Sequence, residues 1–131
     1  METINSLQKA AFEIAKNNGF HEQPNPIPEV LMKMVCELSE GMEEYRNNKP
    51  TVYVNDNGVR EITDLKESSF LSADGETTTL LKPEGILSEL ADTVIRILDT
   101  CESNGWDLAS MIRIKMKYNR TRSWKHGGKV C

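Results

Sequence analysis

The sequence predicts an all-α protein, a bundle of about four main helices with a short β-hairpin and loop insertion around residues 50–82. Three observations carry this. Apolar residues recur at spacings of three and four in four separate segments, each bracketed by Gly, Pro or Asn. Between Pro50 and Pro83 that rhythm gives way to two β-prone runs flanking "NDNG". The chain of 131 residues is of the size of one domain, read as 1–131, and can bury a core.

The first helix is expected over about Ile4 to Asn18, with Ile4, Leu7, Ala11, Ile14 and Ala15 on one stripe. Gly19 ends it, because only glycine takes the left-handed conformation of a helix C-terminal cap without cost. Pro24, Pro26 and Pro28 follow, and Pro28 suits the first turn of the second helix, which runs to about Asn47. Val30, Leu31, Met34, Val35, Leu38, Met42 and Tyr45 mark its apolar face, expected to be buried.

"TVYVNDNGVREIT" reads as a hairpin, since Asn and Gly accept the positive φ of a tight turn. A two-stranded hairpin is not stable alone, so it must lean on the helices or on another subunit. The third helix spans about Pro83 to Asn104, with Gly105 as its stop. The fourth starts at Asp107, an N-cap residue, and continues to about Asn119. The six methionines fall largely on apolar stripes and are expected in the core.

Composition excludes several function classes. Apolar content of 38% and charged content of 27% are those of an ordinary globular chain. A net charge of −4 argues against a surface for polymeric nucleic acid. No apolar run approaches the ~20 residues that span a bilayer, and the N-terminus lacks a signal peptide's basic start and apolar centre. Cys36, Cys101 and Cys131 form no CxxC pair, which suits free thiols and a cytoplasmic setting.

One internal echo carries chemistry. Helix two contains "ELSE" (Glu37 to Glu40) and helix three contains "ELAD" (Glu89 to Asp92). Around Leu38 and Leu90 as stripe centres, the leading acid lies about 100° to one side and the second about 160° to the same side. If the two helices pack antiparallel through their leucine stripes, four carboxylates line one groove. Such a cluster repels itself unless a cation neutralises it, and oxygen-rich sites suit a hard ion such as Mg²⁺. Acids on a helix are more commonly a solvated face, and Glu43 and Glu44 read that way.

With these segments in view, "KPEGILSELADTVIRILD" and the tail "KMKYNRTRSWKHGGK", containing the pattern YNxTRxxKHGGK, carry a family likeness. The chain resembles the MazG-like all-α nucleoside triphosphate pyrophosphohydrolases over roughly residues 30–48 and 82–129. The resemblance implies a Mg²⁺ site, with Mn²⁺ as a substitute, ligated by Glu37, Glu40, Glu89 and Asp92. It also implies hydrolysis of a (deoxy)nucleoside triphosphate at the α-phosphorus to monophosphate and pyrophosphate, in nucleotide-pool housekeeping. Family members are usually dimers or tetramers, so a homo-oligomer is expected. The 48 residues between Glu40 and Glu89 (41–88) exceed the compact form of the family motif, the added length being the hairpin and loop.

Lys115, Asn119 and Arg122 fall at spacings of four and three and are the candidate triphosphate contacts. The competing reading of these residues is a cationic helix end that complements the helix dipole. Trp106 and Trp124 are packing residues or stacking surfaces for a base, and His21 and His126 lack metal-ligand spacing. Two rivals stand beside the main reading. One is a related enzyme cleaving another pyrophosphate, such as phosphoribosyl-ATP. The other is a non-catalytic helical interaction module.

Overall fold

The computed structural model describes residues 2–72 and 79–122, and the chain is mostly helical, with four α-helices and one small antiparallel sheet. The helices are α1 (Ile4–Asn17), α2 (Ile27–Arg46), α3 (Ile86–Ser103) and α4 (Leu108–Thr121). Strands β1 (Tyr53–Asn55) and β2 (Val59–Glu61) pair in antiparallel register, Val54 opposite Arg60. The chain divides into two compact units, one formed by Met1–Gln23 with Leu98–Cys131, the other by Pro24–Ile97. Among the described residues no helix is long and apolar enough to cross a membrane.

In the first unit, α1 opens with a reciprocal cap in which Thr3 and Ser6 satisfy each other's backbone N–H groups. It closes as expected at Gly19 (φ +84°), where the N–H groups of Gly19 and Phe20 donate to the carbonyls of Lys16 and Ala15. Ala11, Leu98 and Cys101 are buried. Beside them the buried Gln8 amide donates to Glu102 and to the Trp106 carbonyl, both at 3.1 Å. His21 stacks near Phe12 and pairs with Asp99 at 2.7 Å. Asp107 caps α4 by accepting from the Ser110 N–H.

In the second unit the hairpin builds its own small core. Val52, Val54 and Ile62 are buried together, with Phe70 and Leu81 packed against them. The turn uses Asn57 (φ +57°) and Gly58 (φ +124°), the residues that tolerate this conformation. The hairpin leans on both flanks: buried Tyr53 donates through its hydroxyl to Glu44 of α2 at 2.9–3.0 Å, and its backbone pairs with Glu84. Burial, and then the Glu44 carboxylate, push the Tyr53 phenol up to about 12, so it stays a donor at any physiological pH.

The helix boundaries differ from expectation in one informative place. The third helix starts at Ile86 rather than Pro83, because Glu84 is held in the bridge to Tyr53 and Gly85 turns with φ +108°. The packing differs more. The apolar face of α2 is not buried: Leu31, Val35, Leu38, Met42 and Tyr45 are 49–70% exposed. Met32, Met111 and Met116 are likewise exposed rather than in the core. The physical reason is that the hairpin packs on its own small core, while α2 and α3 meet at Gly41 and through the charged side chains Glu37 and Arg96 instead of along their leucine stripes.

Gly85 is the tightest steric constraint in this unit, since a Cβ there would sit 2.2 Å from the Thr51 carbonyl oxygen. Gly85→Ala is therefore expected to lower unfolding stability by about 2–4 kcal/mol, from strained backbone plus displacement of the 51–53 segment. Urea denaturation followed by circular dichroism measures it; a loss below about 1 kcal/mol is incompatible with this geometry.

Candidate functional site

The acids of "ELSE" and "ELAD" sit where α2 and α3 approach each other within the second unit. Antiparallel order is evident from the contacts. Arg96 lies beside Glu37, while Ile86 and Glu89 lie beside Gly41. Buried Gly41 permits this approach, because a Cβ built on it would already touch the Glu89 Cβ at 3.5 Å and the Ile86 side chain at 3.7 Å. Anything larger than a methyl group would push Glu89 away from Glu37.

The approach gathers three carboxylates. Glu37, Glu89 and Asp92 each offer an oxygen, and these oxygens lie within 4.8 Å of one another. Glu37 and Glu89 are partly buried and Asp92 is exposed. Glu40, the fourth acid, borders this trio on the exposed side and acts on the charge of Glu89 and Glu37. Three of the four acids picked out by spacing therefore form one compact set, and the fourth flanks it.

Their charge states diverge. Burial, then hydrogen bonds that its protonated form can donate to Glu40 and Glu37, push the Glu89 carboxyl up to about 7. Asp92 is also raised, by burial and by Glu37, against the pull of Arg96 and Lys82. Burial pushes Glu37 up as well, but the Arg96 hydrogen bonds, with those of Glu89 and Glu40, outweigh it and hold Glu37 below its usual value. The Oε2 atom of Glu89 is buried without a hydrogen-bond partner among the described residues. An oxygen-only donor set with one orphaned, buried acceptor fits a hard divalent cation.

Beside the acids runs an apolar groove of about 180 Å³. Leu38, Gly41, Met42, Tyr45, Ile86 and Leu90 line it together with Glu37 and Glu89. Leu38 and Leu90, the stripe centres, are half exposed at its edge instead of packing as a seam.

The three candidate triphosphate contacts lie in the other unit, on α4 and its C-terminal cap. The Lys115 ammonium and the Arg122 guanidinium stand over the Tyr118 ring, at 5.7 and 5.6 Å. Asn119 is exposed, and its carbonyl accepts from the Arg122 N–H. Trp106 is 49% exposed, while Trp124, Lys125, His126, Lys129 and Cys131 lie outside the described residues.

Sequence reasoning passed over Gly41 and Arg96. Both had a signal. Gly41 is a helix-weakening residue placed immediately after "ELSE", which calls for a close neighbour. Arg96 follows Glu89 and Asp92 at i+7 and i+4, on the same face of α3.

No known protein-family model, curated protein or solved structure matches the chain.

Two outcomes follow from this geometry. For Glu89 the sign is set by a folded-state value near 7 against 4.5 for an ordinary glutamate. The folded chain binds the extra proton between these values, so stability from this group is full below about 4.5 and lost as pH rises through 7. In metal-free buffer Glu89→Gln should raise Tm at pH 8 by roughly 2–5 °C and leave it unchanged at pH 4. An equal shift at both pH values would contradict the charge assignment. For Gly41, Ala is expected to be neutral or stabilising by up to about 1 kcal/mol, whereas Leu should cost about 1–3 kcal/mol by parting the helices. Urea midpoints of the two variants measure this order, and the reverse order would exclude the close crossing.

Proposed function

We propose that this chain is a Mg²⁺-dependent nucleoside triphosphate pyrophosphohydrolase of the MazG-like type. It converts a (deoxy)nucleoside triphosphate to monophosphate and pyrophosphate in the cytoplasmic nucleotide pool. The observation that carries this reading is the convergence of Glu37, Glu89 and Asp92 to within 4.8 Å, from the two segments that resemble the family's paired acidic motifs.

In this reading Glu37, Glu89 and Asp92 hold the ion, with Glu40 at their edge. When bound, Mg²⁺ would supply charge neutralisation for the triphosphate, which phosphoryl-group chemistry demands above all else. The chain's own residues do the rest. Glu40, outside the compact trio and open to solvent, is the acid available to take a proton from water. The apolar groove beside Glu37 and Glu89 receives the uncharged part of the substrate. Lys115, Asn119 and Arg122 are the proposed phosphate contacts; Arg offers a planar fork of donors and Lys a point charge.

The groove also supports a homo-oligomer. At about 180 Å³ it is smaller than the ~300 Å³ or more of a pocket that encloses a ligand of nucleotide size. On the same helix stripes as Leu38 and Leu90, at spacings of three, four and seven, Leu31, Val35, Leu87 and Val94 are exposed. Exposed apolar surface costs about 25 cal/mol per Å², so covering this face with a second copy is favourable and would supply the missing wall. Free Cys36 and Cys101 agree with a reducing compartment.

The test is a panel of all (d)NTPs with Mg²⁺, scoring monophosphate and pyrophosphate release. At least one substrate should turn over, and Asp92→Asn should lower that rate at least about 100-fold, a ligand loss exceeding the usual effect of losing a ligand's supporting partner. Mg²⁺ with the accepted nucleotide should raise Tm, because a ligand of the native state stabilises it. Neither turnover nor a Tm shift across the panel returns the chain to a helical interaction module.

A further inference from the structure

The Arg96 side chain makes an arrangement that the four-acid reading does not use. Its Nε and Nη2 both donate to one oxygen of Glu37, Oε1, each at 2.9 Å. The Glu37 side chain is 12% exposed, so this pair is shielded from solvent more than a surface ion pair is. Arg96 lies one turn beyond Asp92 on the helix that carries Glu89. The same helix thus supplies two of the three converging acids and the cation that grips the third.

We propose that Arg96 is the positioning residue of the acidic site: it holds Glu37 by Oε1, so that Oε2 is aimed at the space shared with Glu89 and Asp92. This rests on the reading of that trio as a divalent-cation site.

Two physical consequences favour the role. The first is orientation. A glutamate side chain has three rotatable bonds, and freezing them is a cost that cation binding must otherwise meet; two donors converging on one oxygen meet it beforehand. The second is charge. With an ion bound, the three ionised carboxylates and one guanidinium sum to −2, and Glu40 at their edge adds a further negative charge. Without Arg96 the same trio carries −3, and Glu37 is free to turn away from its neighbours. The opposite role is also physically definite: a cation beside the site can compete with the ion, so that its removal would tighten binding. The sign of the effect separates the two.

The experiment is Mn²⁺ binding to the full chain, by calorimetric titration and by loss of the free-ion electron paramagnetic resonance signal. It compares the native protein with Arg96→Gln and Arg96→Lys. Arg96→Gln is expected to weaken Mn²⁺ binding about 10–100-fold, and Arg96→Lys, which keeps the charge but loses the two-pronged grip, to fall between. Far-UV circular dichroism without metal checks that each variant is folded. Should Arg96→Gln fail to fold, Arg96→Lys decides: weaker binding than native supports the grip, and native affinity overturns it. Unchanged or tighter binding by folded Arg96→Gln overturns the positioning role while leaving the metal site standing. Absence of Mn²⁺ binding by the native chain overturns the metal reading and the role of Arg96 together.

Discussion

Mutual repulsion among three carboxylates is the force that the second unit is built to contain. Glu37, Glu89 and Asp92 bring their oxygens within 4.8 Å of one another, two of them partly buried, where water screens them poorly. Left alone, such a trio would push α2 and α3 apart. Three features oppose that. Gly41 lets the helices approach at this level, Arg96 neutralises Glu37, and Glu89 relieves the remainder by favouring its protonated form up to about pH 7. Each is a concession in ordinary stability terms: a glycine inside a helix, a half-buried arginine, an acid kept from ionising. Together they hold three acids at close range, the arrangement on which the proposed cation site rests.

The hairpin insertion is best understood as the frame for this crossing. Its core of Val52, Val54 and Ile62 is independent of the helix stripes. It is tied to the end of α2 through Tyr53 and Glu44, and to the start of α3 through the Tyr53–Glu84 bridge and the Thr51–Leu87 hydrogen bond. Gly85, with no room for a side chain, sets the direction in which α3 departs. The insertion therefore fixes the entry of α3 four residues before Glu89, which is how a long connection can still deliver two acids in register with "ELSE".

The exposed apolar faces belong to the same logic. With Leu31, Val35, Leu38, Met42 and Tyr45 exposed, α2 has an amphipathic pattern that the described residues do not satisfy. The hydrophobic effect favours covering such a face, and Leu38, Met42 and Tyr45 of it line the groove beside the acids. Whatever covers the face also shapes the groove.

Much of this was legible in the residues themselves. Four helices, the hairpin turn at "NDNG", the Gly19 and Gly105 stops and the Asp107 cap follow from local rules, because capping and turn chemistry act within a few residues. The pairing of Glu37 with Glu89 and Asp92 was legible too, since a fixed helical rotation puts both motifs on matching flanks. Other features could be decided only by tertiary structure. Periodicity says that a face is apolar but not what covers it, so it predicts a buried stripe on α2 where the described residues leave that stripe open. Nor does a single helix reveal that Arg96 reaches across to Glu37, that Glu40 stands at the edge of the trio, or that Gly85 faces a carbonyl 34 residues earlier in sequence. Local backbone preference is written in neighbours along the chain; which charges meet, and which surfaces stay wet, depends on distances that exist only once the helices cross.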